Sequence, residues 1–305
     1  MSGYNPEYLG QDFKFDLPII TPEKESDIVI PPGRDTPVLD YLNYSVIMNQ
    51  ETRQAFFSSA NADFSNNTGS GRNFRVDSRL LDKETGENFQ LDNIYYKDLN
   101  GVENPYDRGH IIRRDAISWG ESKKAANKAS RDSCYFTNVS LQHKNFNQDE
   151  WRALEDAIEN NNRDQSNRVN IFSGPIFSDR DRFITPTRSL QPGRVPAAFW
   201  KVIAYVGKDS GKLEVNAFIV NQDKESIKRL KQVFGKKGLF PFKMYQSSTT
   251  LIERLTGLEF PDVAFDNNPL FFFESDETVA RGIASPQLIE VSTKNGADCG
   301  ICFAQ

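Results

Sequence analysis

The stretch YDRGHIIRRDA, residues 106–116, holds His110, one of only two histidines in the chain. An imidazole titrates at ~6.5, so it suits proton transfer near neutral pH. A lone histidine can equally be a satisfied core residue, and the type alone does not decide. The neighbours do more. Asp107 and Arg108 stand directly upstream, and Arg113 and Arg114 directly downstream. Further along, NVSLQHKNFNQDEWRALED (138–156) supplies Asn138, Asn147 and Glu155. These are oxygen donors suited to a hard cation such as Mg2+. A candidate base, guanidinium groups and hard-cation donors together favour the catalytic reading of His110. His143 falls outside the pattern and reads as surface or structural.

Elements must bring these residues together. NQDEWRALEDAIEN (147–160) has Trp151, Leu154 and Ile158 at helical spacing, with acids in its first turn. On one helix from Asn147, residues 147, 151 and 155 drift only ~40° per step, so Asn147 and Glu155 share neighbouring faces. Trp151 between them is expected to pack inward. Residues 42–63 read as two apolar strands around a polar turn, and 134–138 (CYFTN) as a short strand. Strands are also expected at 168–177, 197–206 and 213–222, and helices at 121–130, 224–234 and 247–256, the last stopped by Gly257. Strands and helices mix without regular alternation, which predicts an α+β fold around a central, mainly antiparallel sheet flanked by helices. Residues 1–41, with six of the fifteen prolines, read as an extended N-terminal arm or linker. Residues 42–270 form the main domain, and 271–305 a C-terminal extension.

Composition excludes several classes. At 305 residues, 38% hydrophobic and 26% charged, the chain is ordinary globular protein. No apolar run approaches the ~20 residues of a membrane span. The first residues carry neither a basic nor an apolar signal region. Cys134, Cys299 and Cys302 are too few for a disulfide scaffold. CGIC at 299–302 lacks the second pair of a four-thiolate zinc site and reads as a tail feature. The net charge of −5 argues against a basic nucleic-acid-binding surface overall. Locally the balance reverses: Asp107–Arg131 holds seven Lys/Arg against three Asp/Glu, and 228–243 holds six Lys/Arg and no acid.

DRGH followed by Asn138-x8-Asn147-x3-Trp151-x3-Glu155 resembles the DNA/RNA non-specific endonuclease family, the ββα-metal nucleases. Other segments resemble the family in order: RNFRVD (72–77), IFSGPIF (171–177), RVPAAFWKVIAY (194–205) and LIERLTGLEF (251–260). The resemblance covers about residues 42–265. It departs at Leu141, where a proline is usual, and at Glu159, where one member has an arginine near substrate.

The resemblance implies a ββα-metal active-site motif and a Mg2+-dependent, sugar-non-specific endonuclease, with Mn2+ or another divalent cation as the alternative. It implies His110 as the base that activates water. Asn147 would be the direct metal ligand, with Glu155 and Asp107 acting on the metal through water. Arg72, Arg108, Arg113 and Arg114 would contact phosphate, although one of the last two could instead pair with Asp115. Asn138 would hold the geometry of the site, or equally cap backbone groups. Such a site would cut DNA and RNA, single- or double-stranded, leaving 5′-phosphate ends. No recognition-helix, finger or RNA-binding signature points to base readout. A binding module without activity and a substrate-restricted nuclease are the alternatives. A nuclease threatens its host's genome, so export, confinement or an inhibitor protein is expected. Nothing in the sequence decides whether the chain forms a homodimer.

Overall fold

The computed structural model describes residues 3–65, 69–98, 101–222, 244–268 and 288–291. The expected helix at 224–234, the basic run 228–243, the tail cysteines and most of the C-terminal extension lie outside the described residues.

An eight-stranded sheet organises the chain. Its strands lie in the order Leu288–Val291, Met244–Ser247, Leu213–Asn221, Ala198–Val206, Arg168–Ile176, Gln54–Asp63, Tyr44–Asn49 and Leu39–Tyr41. Every pairing between neighbours is antiparallel. Alternate residues of a strand face opposite sides. In the strand Ala198–Val206, Phe199, Ile203 and Tyr205 join one core, whereas Ala198, Trp200, Val202 and Ala204 join the other. Both faces are covered, which explains the unbroken apolar run 202–206 in this strand.

The first face packs against Trp151, Leu154 and Ile158 of the helix Glu150–Asp164 and against Ile111 and Ile112. The second is covered by Leu251 and Ile252 of the helix Thr249–Thr256 and by the N-terminal segment. That helix starts where the Ser248 side chain accepts from Leu251 N–H, and ends at Gly257, whose φ of 72° needs a residue without Cβ. The segment read as an arm or linker lies against this second face. Phe15 is fully buried, Tyr8 Oη donates to Ala62 O at 3.0 Å, and Ile19–Ile20 pairs with Leu258–Glu259.

A second, two-stranded element carries the motif. Tyr106–His110 pairs antiparallel with Val139–His143, and the helix Lys144–Gln148 follows directly. This is a ββα unit laid beside the main sheet. CYFTN is not a strand. Phe136–Asn138 forms a 3-10 turn, and the strand begins one residue later, at Val139. The reason is Asn138, whose amide bonds the backbone of Ile112 and Ser133 and so curls the chain before it can extend.

Candidate active site

Gly109 lets the hairpin pack closely. It faces Ser140, and a Cβ at this position would overlap the Gln142 side chain. The glycine of DRGH is thus needed for close packing beneath the site. Asp107, in register with Gln142, lines the cleft together with Arg108 and His110 of the same strand. Leu141 sits inside the partner strand. Its N–H donates to Gln54 Oε1 at 3.3 Å, a bond a proline could not make.

The expected single helix from Asn147 to Glu155 is two helices. Lys144–Gln148 ends and Glu150–Asp164 begins at Asp149, whose φ and ψ of −108° and −86° leave the helical region. Asn147 lies on the first helix and Glu155 on the second, so their approach depends on this bend and on Trp151. Trp151 is 1% exposed. It stacks on Phe146, meets Phe199, and donates from Nε1 to His110 O at 3.2 Å.

These elements surround a cleft of about 520 Å3. His110, Asn147, Gln148, the arginines 72, 108, 113, 114 and 152, and the carboxylates of Asp107, Asp115 and Glu155 line it. The structure therefore brings together every residue expected at the site except Asn138. That side chain is fully buried and spent on backbone groups: it stands behind the site and shapes it. His143 caps the helix Lys144–Gln148, its Nδ1 accepting from Asn145 N–H at 3.3 Å.

Asp107 Oδ2 accepts from Asn147 Nδ2 and from Gln148 Nε2, both at 3.0 Å. With its nitrogen held there, the Asn147 amide offers Oδ1 as its acceptor, the atom a hard cation would take. Among the described residues no three His, Cys, Asp or Glu side chains converge on a metal position. A Mg2+-type ion needs no such cluster, because it keeps several waters and uses few protein ligands. The donor set fits it.

His110 is partly exposed, and its imidazole is pushed down to about 3 by burial, then by the charges of Arg72 and Arg114. It is neutral over the ordinary pH range. Glu155 is nearly buried. Its Oε1 accepts from Lys201 Nζ at 3.3 Å. Burial raises the Glu155 carboxyl and lowers the Lys201 ammonium, while their mutual attraction works against both shifts. Lys201 also donates to Ile111 O at 3.3 Å and lies 4.4 Å above the Trp151 ring.

The arginines are not equivalent. Arg72 is exposed at the rim. Arg108 lies over the Phe74 ring at 5.0 Å and donates to Asn93 Oδ1. Arg113 is enclosed by acids: it bonds Asp156 and lies 3.7 Å from both Asp115 and Glu159. Arg114 pairs with Asp115 at 3.2 Å and donates to Ser70 O. The expectation that one of these two pairs with Asp115 understated the case, since both do. Sequence reasoning missed Arg152, Gln148, Phe74, Lys201 and Cys134. Lys201 left a readable signal, a lone charge inside the apolar run AAFWKVIAYV. Arg152 lies one residue beyond the anchoring Trp151, on a helix face the motif already placed toward the cleft.

An antiparallel sheet with a ββα unit, whose histidine and asparagine open on a common cleft, defines a ββα-metal nuclease architecture. The sequence profile of the DNA/RNA non-specific endonuclease family matches residues 26–267, and the chain belongs to that family. It is 30% identical over 239 residues to the uncharacterized protein y4fB of Sinorhizobium fredii (strain NBRC 101917 / NGR234), a match covering 75% of this chain. The chain spans about a third, 34%, of that relative's length. Its fold is similar to a chain in the crystal structure of the EndoG/EndoGI complex, with a TM-score of 0.50 at 21% identity, over 75% of this chain and 86% of that one. Among the described residues, no helix is long and apolar enough to cross a membrane.

Proposed function

We propose that the chain is a divalent-cation-dependent endonuclease that hydrolyses phosphodiester bonds of DNA and RNA without sequence preference, with His110 as general base. One observation carries the reading: His110 and Asn147 line the same arginine-rich cleft. Family membership supports the substrate class. Guanidinium contacts to phosphate carry no base information, which supports cleavage without sequence preference.

In this reading Arg72, Arg108, Arg114 and Arg152 draw the phosphodiester into the cleft. A bound phosphate offsets the charges of Arg72 and Arg114, the lesser causes of the depression, and so raises the imidazole above its value in the free protein, which makes it a better base. His110 then takes a proton from the water that attacks phosphorus. The bond to the 3′ oxygen breaks, and the phosphate stays on the 5′ end of the downstream product. Asn147 would hold the cation through Oδ1, with Asp107 and Glu155 acting through water; when bound, Mg2+ supplies charge neutralisation at the phosphoryl and departing oxygens. Asp107 orients the Asn147 amide, and Lys201 fixes Glu155.

The partners that follow are DNA and RNA, single- or double-stranded. An inhibitor protein belongs among them, supported by the inhibited complex in which the structural neighbour EndoG was solved. Plasmid nicking with Mg2+ and with EDTA, for the wild type and His110→Ala, tests the proposal. Metal-dependent nicking without preferred bands is expected, with a loss of about 10²–10⁴ in rate for the variant, the usual contribution of a positioned base. Nicking undiminished in EDTA, or in His110→Ala, refutes it.

A further inference from the structure

We infer that Cys134 is the positioning residue that sets the tautomer of His110. The inference rests on the reading of His110 as base. A neutral imidazole accepts a proton at only one nitrogen, and the other must carry its hydrogen. The partner of that second nitrogen decides which one faces substrate.

Here the partner is a thiol. Cys134 Sγ lies 3.8 Å from His110 Nε2, within hydrogen-bond reach for sulfur. Cys134 is fully buried. Its own S–H has acceptors behind it, Ser133 Oγ at 3.8 Å and Ser130 O at 4.0 Å. The thiol can therefore donate backward and receive the Nε2 hydrogen from the front. That arrangement places the hydrogen on Nε2 and leaves Nδ1, with its lone pair, to the cleft.

The surroundings hold both groups in place from separate directions. The Cys134 carbonyl accepts from Arg75 N–H at 3.0 Å, and Arg75 O accepts from Phe136 N–H at 3.0 Å, which ties the thiol's turn to the segment carrying Arg72 and Phe74. The Phe74 ring packs 5.3 Å from the imidazole. On the other side, Asn138 joins Ser133 O to the backbone of Ile112, two residues after His110. Trp151 Nε1 holds the His110 carbonyl. The imidazole and the thiol thus sit on two strips of chain stapled together above and below the contact. Sulfur is a weak acceptor. It fixes the tautomer without the charge that a carboxylate would add beside an already arginine-rich cleft.

The test uses the full chain labelled with 15N in its histidine rings, whose two imidazoles, His110 and His143, give two resolvable sets of signals. Ring nitrogen shifts report the tautomer, and steady-state kinetics on plasmid DNA with Mg2+ report turnover. Wild type should show His110 with hydrogen on Nε2. Cys134→Ala should show a mixture of tautomers, with kcat down about tenfold and KM unchanged, the lower end of what losing a tautomer-fixing partner costs a ligated histidine. Cys134→Ser keeps a group that both donates and accepts and should hold the Nε2 tautomer, with kcat within about threefold of wild type. A purely structural cysteine would not move the tautomer and would not be rescued by serine. Hydrogen on Nδ1 in the wild type overturns the inference, whatever the variants do. So does a Cys134→Ala protein with wild-type tautomer and kcat. If His110→Ala keeps full turnover while the tautomer responses appear as expected, the reading of His110 as base fails and the assignment of its partner stands.

Discussion

Replacing Lys201 with methionine isolates the buried ion pair behind the cleft. The lysine side chain is 2% exposed and that of Glu155 10%, with 3.3 Å between Nζ and Oε1. Removing one partner of a buried pair costs ~3–5 kcal/mol, because the other is left charged in a dry place. Three features put this case at the low end. Methionine fills most of the volume over Trp151. The Arg113 charge still acts on Glu155. The Glu155 carboxyl is already pushed upward by burial, so it can escape by taking a proton. We expect about 3 kcal/mol at pH 8, a drop of about 1 M in the urea midpoint for a slope near 3 kcal/mol/M. The pH dependence has a definite sign. A carboxyl whose folded-state value lies above its unfolded value binds protons more tightly when folded, so stability is lost as pH rises from ~4.3 through the folded value. Losing Lys201 raises that folded value further. The deficit of Lys201→Met relative to wild type should therefore be larger at pH 8 than at pH 5. Urea titrations in EDTA at both pH values provide the measurement. A midpoint shift below about 0.3 M at pH 8, or a larger deficit at pH 5, would show that Glu155 does not depend on Lys201 and sink the reasoning.

Two further outcomes are expected. Asn147→Ala should raise the Mg2+ concentration needed for half-maximal activity far more than Glu155→Gln, since the first would remove the proposed direct ligand and the second would disturb only orientation; equal metal dependence in wild type and Asn147→Ala would end the ligand assignment. Binding should weaken steeply with salt despite the acidic net charge, each phosphate contact adding ~0.7–0.9 to the logarithmic slope. Arg113 is already enclosed by Asp115, Asp156 and Glu159, so KM for Arg72→Ala and Arg152→Ala should lose more of that slope than KM for Arg113→Ala, and the reverse order would refute this ranking of the arginines.

What could be read from the sequence was what repeats or has fixed spacing. The strands expected at 168–177, 197–206 and 213–222 are found at 168–176, 198–206 and 213–221. His110, Asn147 and Glu155 stood out because a base and hard-cation donors were grouped by motif. The rest depends on contacts between distant segments. Nothing in Asn-Gln-Asp-Glu signals a break, so Asn147 and Glu155 read as one helix. The turn at 136–138 is made by an Asn138 side chain reaching Ile112, 26 residues away. Arg113 looked like a phosphate contact until the helix Glu150–Asp164 brought Asp156 and Glu159 against it. The docking of Phe15 and Ile20 was hidden by prolines, which remove regular periodicity without removing apolar contact.

Trp151 explains why such scattered pieces form one site. The proposed base, the candidate ligand and the buried carboxylate come from a hairpin strand, a short helix and a long helix, none of which is adjacent to both others in sequence. The indole touches all of their supports at once. Its N–H holds the carbonyl of His110 itself. One ring neighbour is Phe146, which precedes Asn147 on the short helix. Another is Phe199, on the sheet strand that also sends Lys201 over the indole to Glu155. A purely apolar side chain could fill the same volume but could not hold the carbonyl, and a smaller aromatic could not reach the three neighbours together. The large aromatic in the Asn-x3-Trp-x3-Glu spacing is thus a geometric requirement of the site. It converts packing against the sheet into the relative placement of His110 and Asn147, the proposed base and the proposed cation ligand.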